Sequence, residues 1–306
     1  MIESMFSVKN RPWHGLGTPV EEALTSSDAL RAAGLDWTIE SLPIFDVNGI
    51  EIKGFRANTR SSDGSVKGIV GERYTIVQNA DAFAFTDALV GEGLLYESAG
   101  AFRGGRAVWL LGKMPERYIC GDLFETYICF VNSHDGSGSV RACMTPTRVE
   151  CNNILNLVFK KAQRSWSTPH RGDVMGRMEE ARQTLQLADQ YMNALEEKAD
   201  QMANQTMSDS EIIVVLDKMF WLPPDATERQ KKTVDTAKNE IVCCMLHPDI
   251  AQFINTRWGF INAVADYVDH ADPVRQTKHY AENRWSNIIG GHALLDRAMA
   301  LMGEVE

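Results

Sequence analysis

The chain has no apolar run approaching about 18 residues, so no segment of it is expected to span a bilayer. Its start, MIESMFSVKNRPWHG, lacks the basic opening, apolar run and small-residue cleavage site of a secretory signal, and the expectation is a cytoplasmic protein. Cysteine is sparse: six residues, at 120, 129, 143, 151, 243 and 244, with no C-x-x-C pair and no histidine at zinc-finger spacing. Neither a disulfide framework nor a structural zinc is expected, and these side chains read as small hydrophobes of the core. Also missing are G-x-x-x-x-G-K-[ST], G-x-G-x-x-G after a strand, G-x-S-x-G, H-x-E and H-E-x-x-H. Their absence disfavours a phosphate-loop ATPase, a dinucleotide oxidoreductase and an α/β-hydrolase. Asp266, Asp269, His270 and Asp272 look metal-like, but they lie at a helix end before Pro273 and read as a solvated terminus. No cofactor and no metal is called for.

Basic charge is also in short supply: 31 basic against 41 acidic residues give the 306-residue chain a net charge of -10. The deficit is uneven, with -6 over residues 1–100, +5 over 101–172 and -9 over 173–306. A positive central stretch in an acidic chain supplies the local field an anionic ligand needs.

Residues 36–77 alternate β-rich runs with turn signals, and Asn48-Gly49 and Asp63-Gly64 are hairpin dipeptides. A helix capped by Asn79 follows, NADAFAFTDALV, then LLYESAGAF, a Gly104-Gly105 turn and RAVWLLGKMP. ETYICFVNS and SVRACMTPTRV form a second strand pair joined by HDGSG, and a helix is expected from near Cys151. From residue 173 the pattern is helical. Met178, Ala181, Leu185, Ala188, Met192, Leu195, Ala199 and Met202 step by three and four, and further helices are expected at 209–220, 227–246, 257–270 and 280–302. The fold class is α+β: an N-terminal, mostly antiparallel sheet with packed helices over 1–170, then an acidic all-helical domain over 173–306.

The blocks PWHGLGTPV, YTIVQNADAFAFTDAL, FVNSHDGSGSVRACMTPTRVECNNILNLV and WGFINAVADYVDH, with a late NRW segment, resemble the phage- and plasmid-borne proteins grouped as domain of unknown function 932. The resemblance spans nearly the whole chain and implies a mobile-element setting without naming an activity. More weakly, the element order of residues 74–162 resembles that of phage single-strand annealing proteins, which assemble into rings on single-stranded DNA.

Ten cations of the central stretch are interleaved with aromatics, the mixture a single-stranded nucleic-acid groove requires. The candidate contacts are Arg103, Arg106 and Trp109, then Arg141, Thr145, Arg148, Asn152 and Asn153 around an expected helix start, and Lys160, Lys161 and Arg164 at its end. Ser133, His134 and Asp135 suggest a catalytic trio, but adjacent residues on a turn are explained by the turn itself. Trp13 to Gly17 form a loop that the Trp13 ring is expected to anchor. The leading expectation is a non-enzymatic, homo-oligomeric protein that binds single-stranded DNA in recombination or replication, with the acidic helical domain contacting host proteins. The alternatives are a counter-defence protein binding a host protein or nucleotide signal, and a hydrolase or nuclease using residues 132–153.

Overall fold

Two aspartates close the first hairpins. Asp46 Oδ1 accepts the N–H groups of Asn48 and Ile50, both at 2.8 Å, and Gly49 takes a φ of +80° to complete the turn. Asp63 accepts from Ser65 N at 2.9 Å, with Gly64 at φ +68°. These turns join β2 (Ile39–Phe45), β3 (Glu51–Arg60) and β4 (Val66–Gly71) into an antiparallel three-stranded sheet. These features come from a computed structural model, which describes residues 17–20, 23–87, 93–148, 153–155, 157, 165–180, 184–271, 280 and 291–304.

Register decides the two faces of this sheet. Leu42 pairs with Ala57 and Ala57 with Ile69, so Leu42, Phe55 and Ile69 share one face, and all three are exposed. Asn58, opposite Gly68, and Val70 share the other, which is buried. Between the pairs Asn58 with Gly68 and Thr59 with Val66, Lys67 is an extra residue: a β-bulge. The bulge turns Lys67 inward, where it is buried, donates to Gly104 O at 2.6 Å and faces the Trp37 ring.

A larger antiparallel sheet runs in the order β1 (Thr18–Pro19), β5 (Leu95–Phe102), β6 (Ala107–Lys113), β8 (Asp122–Ser133), β9 (Val140–Arg148) and β10 (Asn153–Ile154). β7 (Arg117–Ile119) pairs with β8, and β11 (Ser165–Thr168) with β9. The chain divides into two compact units. One comprises residues 1–115, 126–144 and 164–188; the other 116–125, 145–163 and 189–306.

In the first unit the central strand β6 is buried on both faces, with only the two ends of Ala107–Lys113 even half exposed. Two short helices, α1 (Ser26–Ala32) and α2 (Asn79–Ala84), pack together, burying Ala29, Leu30, Ala82 and Phe83. α1 is capped by Thr25, whose side chain accepts from Asp28 N. α2 breaks after Ala84, where Thr86 turns its hydroxyl back onto Phe83 O at 2.6 Å and competes with the helical ladder; Asp87 is helical again, and residues 88–90 of the expected helix lie outside the described residues. Gln78 holds the N-cap position, while the Asn79 amide donates to Leu35 O at 2.9 Å.

Beyond β11 lie α3 (Val174–Glu180) and α4 (Thr184–Ala203), the latter crossing from the first unit into the second. Ala188, Met192, Leu195, Ala199 and Met202 of the heptad stripe are buried, as the spacing requires. α5 (Asp209–Met219) and α6 (Glu228–Cys244) both begin with capping boxes, Ser208 with Glu211 and Thr227 with Gln230. α7 (Arg257–His270) is buried all round from Trp258 to Asp266, which makes it the central helix of the second unit, packed by α6 and by α8 (Ala293–Glu304). The helix expected from Cys151 is corrected at Asn153, which pairs in β10 with Arg148. Ile154 N donates to Asp269 Oδ2 at 2.7 Å and Leu155 N to Pro146 O at 3.0 Å, so these N–H groups are not those of a capped first turn. Cys129, Cys143 and Cys244 are buried, Cys120 is half-buried and Cys243 exposed; Cys151 lies outside the described residues. Among the described residues no helix is long and apolar enough to cross a membrane.

Candidate functional site

The turn after β8 is where the small sheet meets the larger one in the first unit. Asn58 Nδ2 donates to His134 O at 2.8 Å, and a Cβ built on Gly68 would stand 2.5 Å from Asp135 Cα, so only glycine permits this approach. Asp135 accepts from Ser133 Oγ at 3.0 Å and from Ser137 N and Oγ at 2.9 and 2.6 Å. Burial raises its proton affinity, but these hydrogen bonds and the Arg103 charge outweigh that and hold the carboxyl below its ordinary range.

His134 points away from its neighbours in sequence. The Asn79 Nδ2 is committed to Leu35 O, so Asn79 offers Oδ1, and the imidazole carries its proton on Nε2, 2.8 Å away. His134 Nδ1 is buried without a partner, and burial, reinforced by the His170 and Lys67 charges, lowers its pKa to about 4. A neutral histidine aimed at a core amide is no base for Ser133, so the three adjacent residues form no catalytic trio.

Beside this turn lies a groove of about 780 Å3. Its walls come from the β3 and β4 edges (Gly54, Phe55, Ile69 to Gly71), from Glu72 to Tyr74, from Asp135 to Gly138, and from Pro169 to Arg171. Tyr74 stacks on His170, ring centroids 4.7 Å apart and planes 14° from parallel. The Tyr74 hydroxyl donates to Ser133 O at 2.6 Å. His170 Nδ1 donates to Thr75 O at 3.1 Å, which leaves Nε2 deprotonated; it is buried and unpartnered in the wall of the groove. Burial lowers the His170 pKa as well, so this nitrogen is an acceptor at neutral pH. Phe55 is exposed at the rim, with Arg73 and Arg171 on the same lining. Glu72 Oε1 accepts from Gly54 N at 3.1 Å. Two exposed guanidinium groups and an accessible phenyl ring beside the aromatic stack suit a planar ligand that bears phosphate.

Of the residues singled out from the sequence, Arg103 and Arg106 are exposed in the turn between β5 and β6, and Arg106 O accepts from His134 N at 2.7 Å. That contact puts both arginines beside the turn that lines the groove. Arg141 is exposed on β9, opposite Ser167 and next to the half-buried Trp166. Trp109 is corrected: it is 1% exposed, directly opposite Gly100, and its ring fills the space that a Cβ on Gly100 would enter at 2.6 Å. Thr145 is fully buried and likewise presents nothing to a ligand. Asn153 and Arg148 pair in strands, which spreads the expected helix-start anion site along a sheet edge. Asn152, Lys160, Lys161 and Arg164 lie outside the described residues, as do Trp13 and His14. The sequence reading missed Phe55, Arg73, Tyr74 and His170. The signal available was local: GERY just past a strand and PHR just past another, each setting an arginine beside an aromatic or imidazole ring.

No curated protein and no solved structure matches the chain. A family model matches residues 66–288, a span that takes in β4, the turn after β8, most of the groove and α7. The chain therefore belongs to the family described as a domain of unknown function, DUF932.

Proposed function

We propose that the chain is a non-enzymatic, phage- or plasmid-encoded protein that binds single-stranded nucleic acid, DNA in the first instance, during recombination or replication. The groove is its binding surface. The observation that carries this reading is the meeting of Arg73 and Arg171 with the Tyr74 and His170 stack and the exposed Phe55 in one groove. Cations that follow phosphates and rings that accept bases are the two parts of sequence-tolerant strand binding. Glu72 and Asp135 on the same lining keep the groove near neutral, which favours a few well-placed contacts over broad electrostatic adhesion. Arg103, Arg106 and Arg141 would extend the track beyond the groove.

The test is fluorescence anisotropy of a labelled single-stranded oligonucleotide with the full chain across a salt series. The reading requires salt-dependent binding, and a Arg73→Ala, Arg171→Ala double variant that lowers the slope against log salt by about 1.4. Absence of binding at micromolar protein, or a double variant that binds as the parent does, rejects it.

A second reading rests on a separate observation. Leu42, Phe45, Val47, Ile50 and Ile52 are exposed around the tip of the β2 and β3 hairpin, an apolar surface of the kind that meets another protein. Under this reading the chain is a host-interaction or counter-defence protein. Replacing Phe45 and Ile50 by Ser abolishes function in a phage or plasmid assay, while the arginine double variant leaves it intact.

A further inference from the structure

We propose that the second unit holds a transition-metal site of the zinc class, ligated by Cys244, His247 and Asp266. One ligand atom from each lies within 4.8 Å of the other two. The three come from two elements: Cys244 is the last residue of α6, His247 follows three residues later, and Asp266 stands on α7. His247 N donates to Cys244 O at 3.1 Å, a turn that folds the imidazole back toward the thiol.

The central residue is Asp266. It is 6% exposed at the end of the continuously buried run Trp258–Asp266, and a carboxylate is costly there unless cations or donors meet it. What meets it is His247 Nδ1 at 2.8 Å from one oxygen, the Cys244 thiol at hydrogen-bonding reach and His270 Nε2 at 4.0 Å from the other oxygen. Thiol and imidazole converge on the same carboxylate. An activated cysteine would instead be served by the imidazole, so this arrangement is no nucleophile and base pair. One sulfur, one nitrogen and one oxygen donor suit Zn2+, while Ca2+ and Mg2+ take oxygen ligands alone. Small side-chain adjustments, opening the 2.8 Å contact between His247 and Asp266 and closing the wider separations, bring the three donors to tetrahedral spacing about an ion that takes the place of that contact. His247 is half exposed, which gives the ion a route in and leaves a fourth position on the solvent side. The site clamps the end of α6 to α7. It is independent of the groove, which lies wholly in the first unit.

The experiment uses the full chain, stripped with a chelator and titrated with Co2+, which reports a thiolate ligand by a near-ultraviolet charge-transfer band and tetrahedral geometry by intense visible bands. One equivalent is expected to give both, and Zn2+ to abolish both by displacement. His247→Asn, a change at a half-exposed position, is expected to weaken binding at least about tenfold. Cys244→Ser removes the charge-transfer band, and Cys243→Ser, at the exposed neighbour, leaves it unchanged. A spectrum without the charge-transfer band, a band that survives Cys244→Ser, a band that disappears with Cys243→Ser, or affinity unaltered by His247→Asn overturns the proposal. Circular dichroism of each metal-free variant separates loss of ligand from loss of fold.

Discussion

Tyr74 and His170, 96 positions apart in the chain, lie ring on ring with centroids 4.7 Å apart. Two further hydrogen bonds fix the joint, Thr75 N to His170 O at 2.9 Å and His170 Nδ1 to Thr75 O at 3.1 Å. The segment leaving β4 and the segment leaving β11 are thus riveted by backbone, side chain and ring contacts together, and the groove wall they make is set before any ligand arrives.

Tyr74→Phe keeps the stack and removes the hydroxyl that donates to Ser133 O. Its expected cost is about 1 kcal/mol of stability, with oligonucleotide binding retained. Tyr74→Ala removes the ring as well, and binding is expected to fall roughly tenfold, within the stacking energy of one base. Urea denaturation and anisotropy on the two variants make the comparison.

Gly68→Ala places a Cβ 2.5 Å from Asp135 Cα, against backbone that cannot swing aside. Overpacking of this kind costs about 1 to 3 kcal/mol. A lower thermal midpoint is expected, with a matching loss of the groove. Gly64→Ala, in open space but at φ +68°, tests strain without a clash.

His134 titrates at about 4 when folded against the ordinary 6.5. Between these values the unfolded chain holds more protons than the folded one, so stability falls as pH is lowered through the window from 6.5 to 4. The loss from this residue is about 1.4 kcal/mol at pH 5.5 and about 3 kcal/mol at pH 4. His170, also lowered, adds in the same direction. Denaturant midpoints at pH 7.5, 5.5 and 4.5 for the parent and for His134→Gln check it: the gap between the two curves is expected to shift in favour of the variant as pH falls.

Trp109→Phe leaves an under-filled space opposite Gly100. A loss of about 1 to 3 kcal/mol is expected from the smaller ring, with no change in oligonucleotide affinity for the folded protein. A parallel loss of affinity would return Trp109 to the binding surface.

The elements that could be read from the sequence are those with local causes. Asp46 and Asp63 close their hairpins with their own side chains, and Ser208 with Glu211 and Thr227 with Gln230 mark two helix starts within four residues. The heptad stripe of α4 is a one-dimensional pattern. The groove was not legible because its lining comes from four separated segments, and no periodicity links Phe55 to Arg171. Trp109 was misread because an aromatic among arginines says nothing of the glycine that faces it across the strand pair. Cys244 and His247 stood at C-x-x-H spacing in plain view, but the buried carboxylate that gives the pair meaning arrives from another helix.

The interleaving of the two units governs how the molecule can be made. The first unit is complete only once residue 188 has left the ribosome, yet the first strands of the second, near residue 116, have by then waited for partners on helices still to be synthesised. Neither unit is one contiguous stretch of the sequence, so a single cut that frees either of them also takes part of the other.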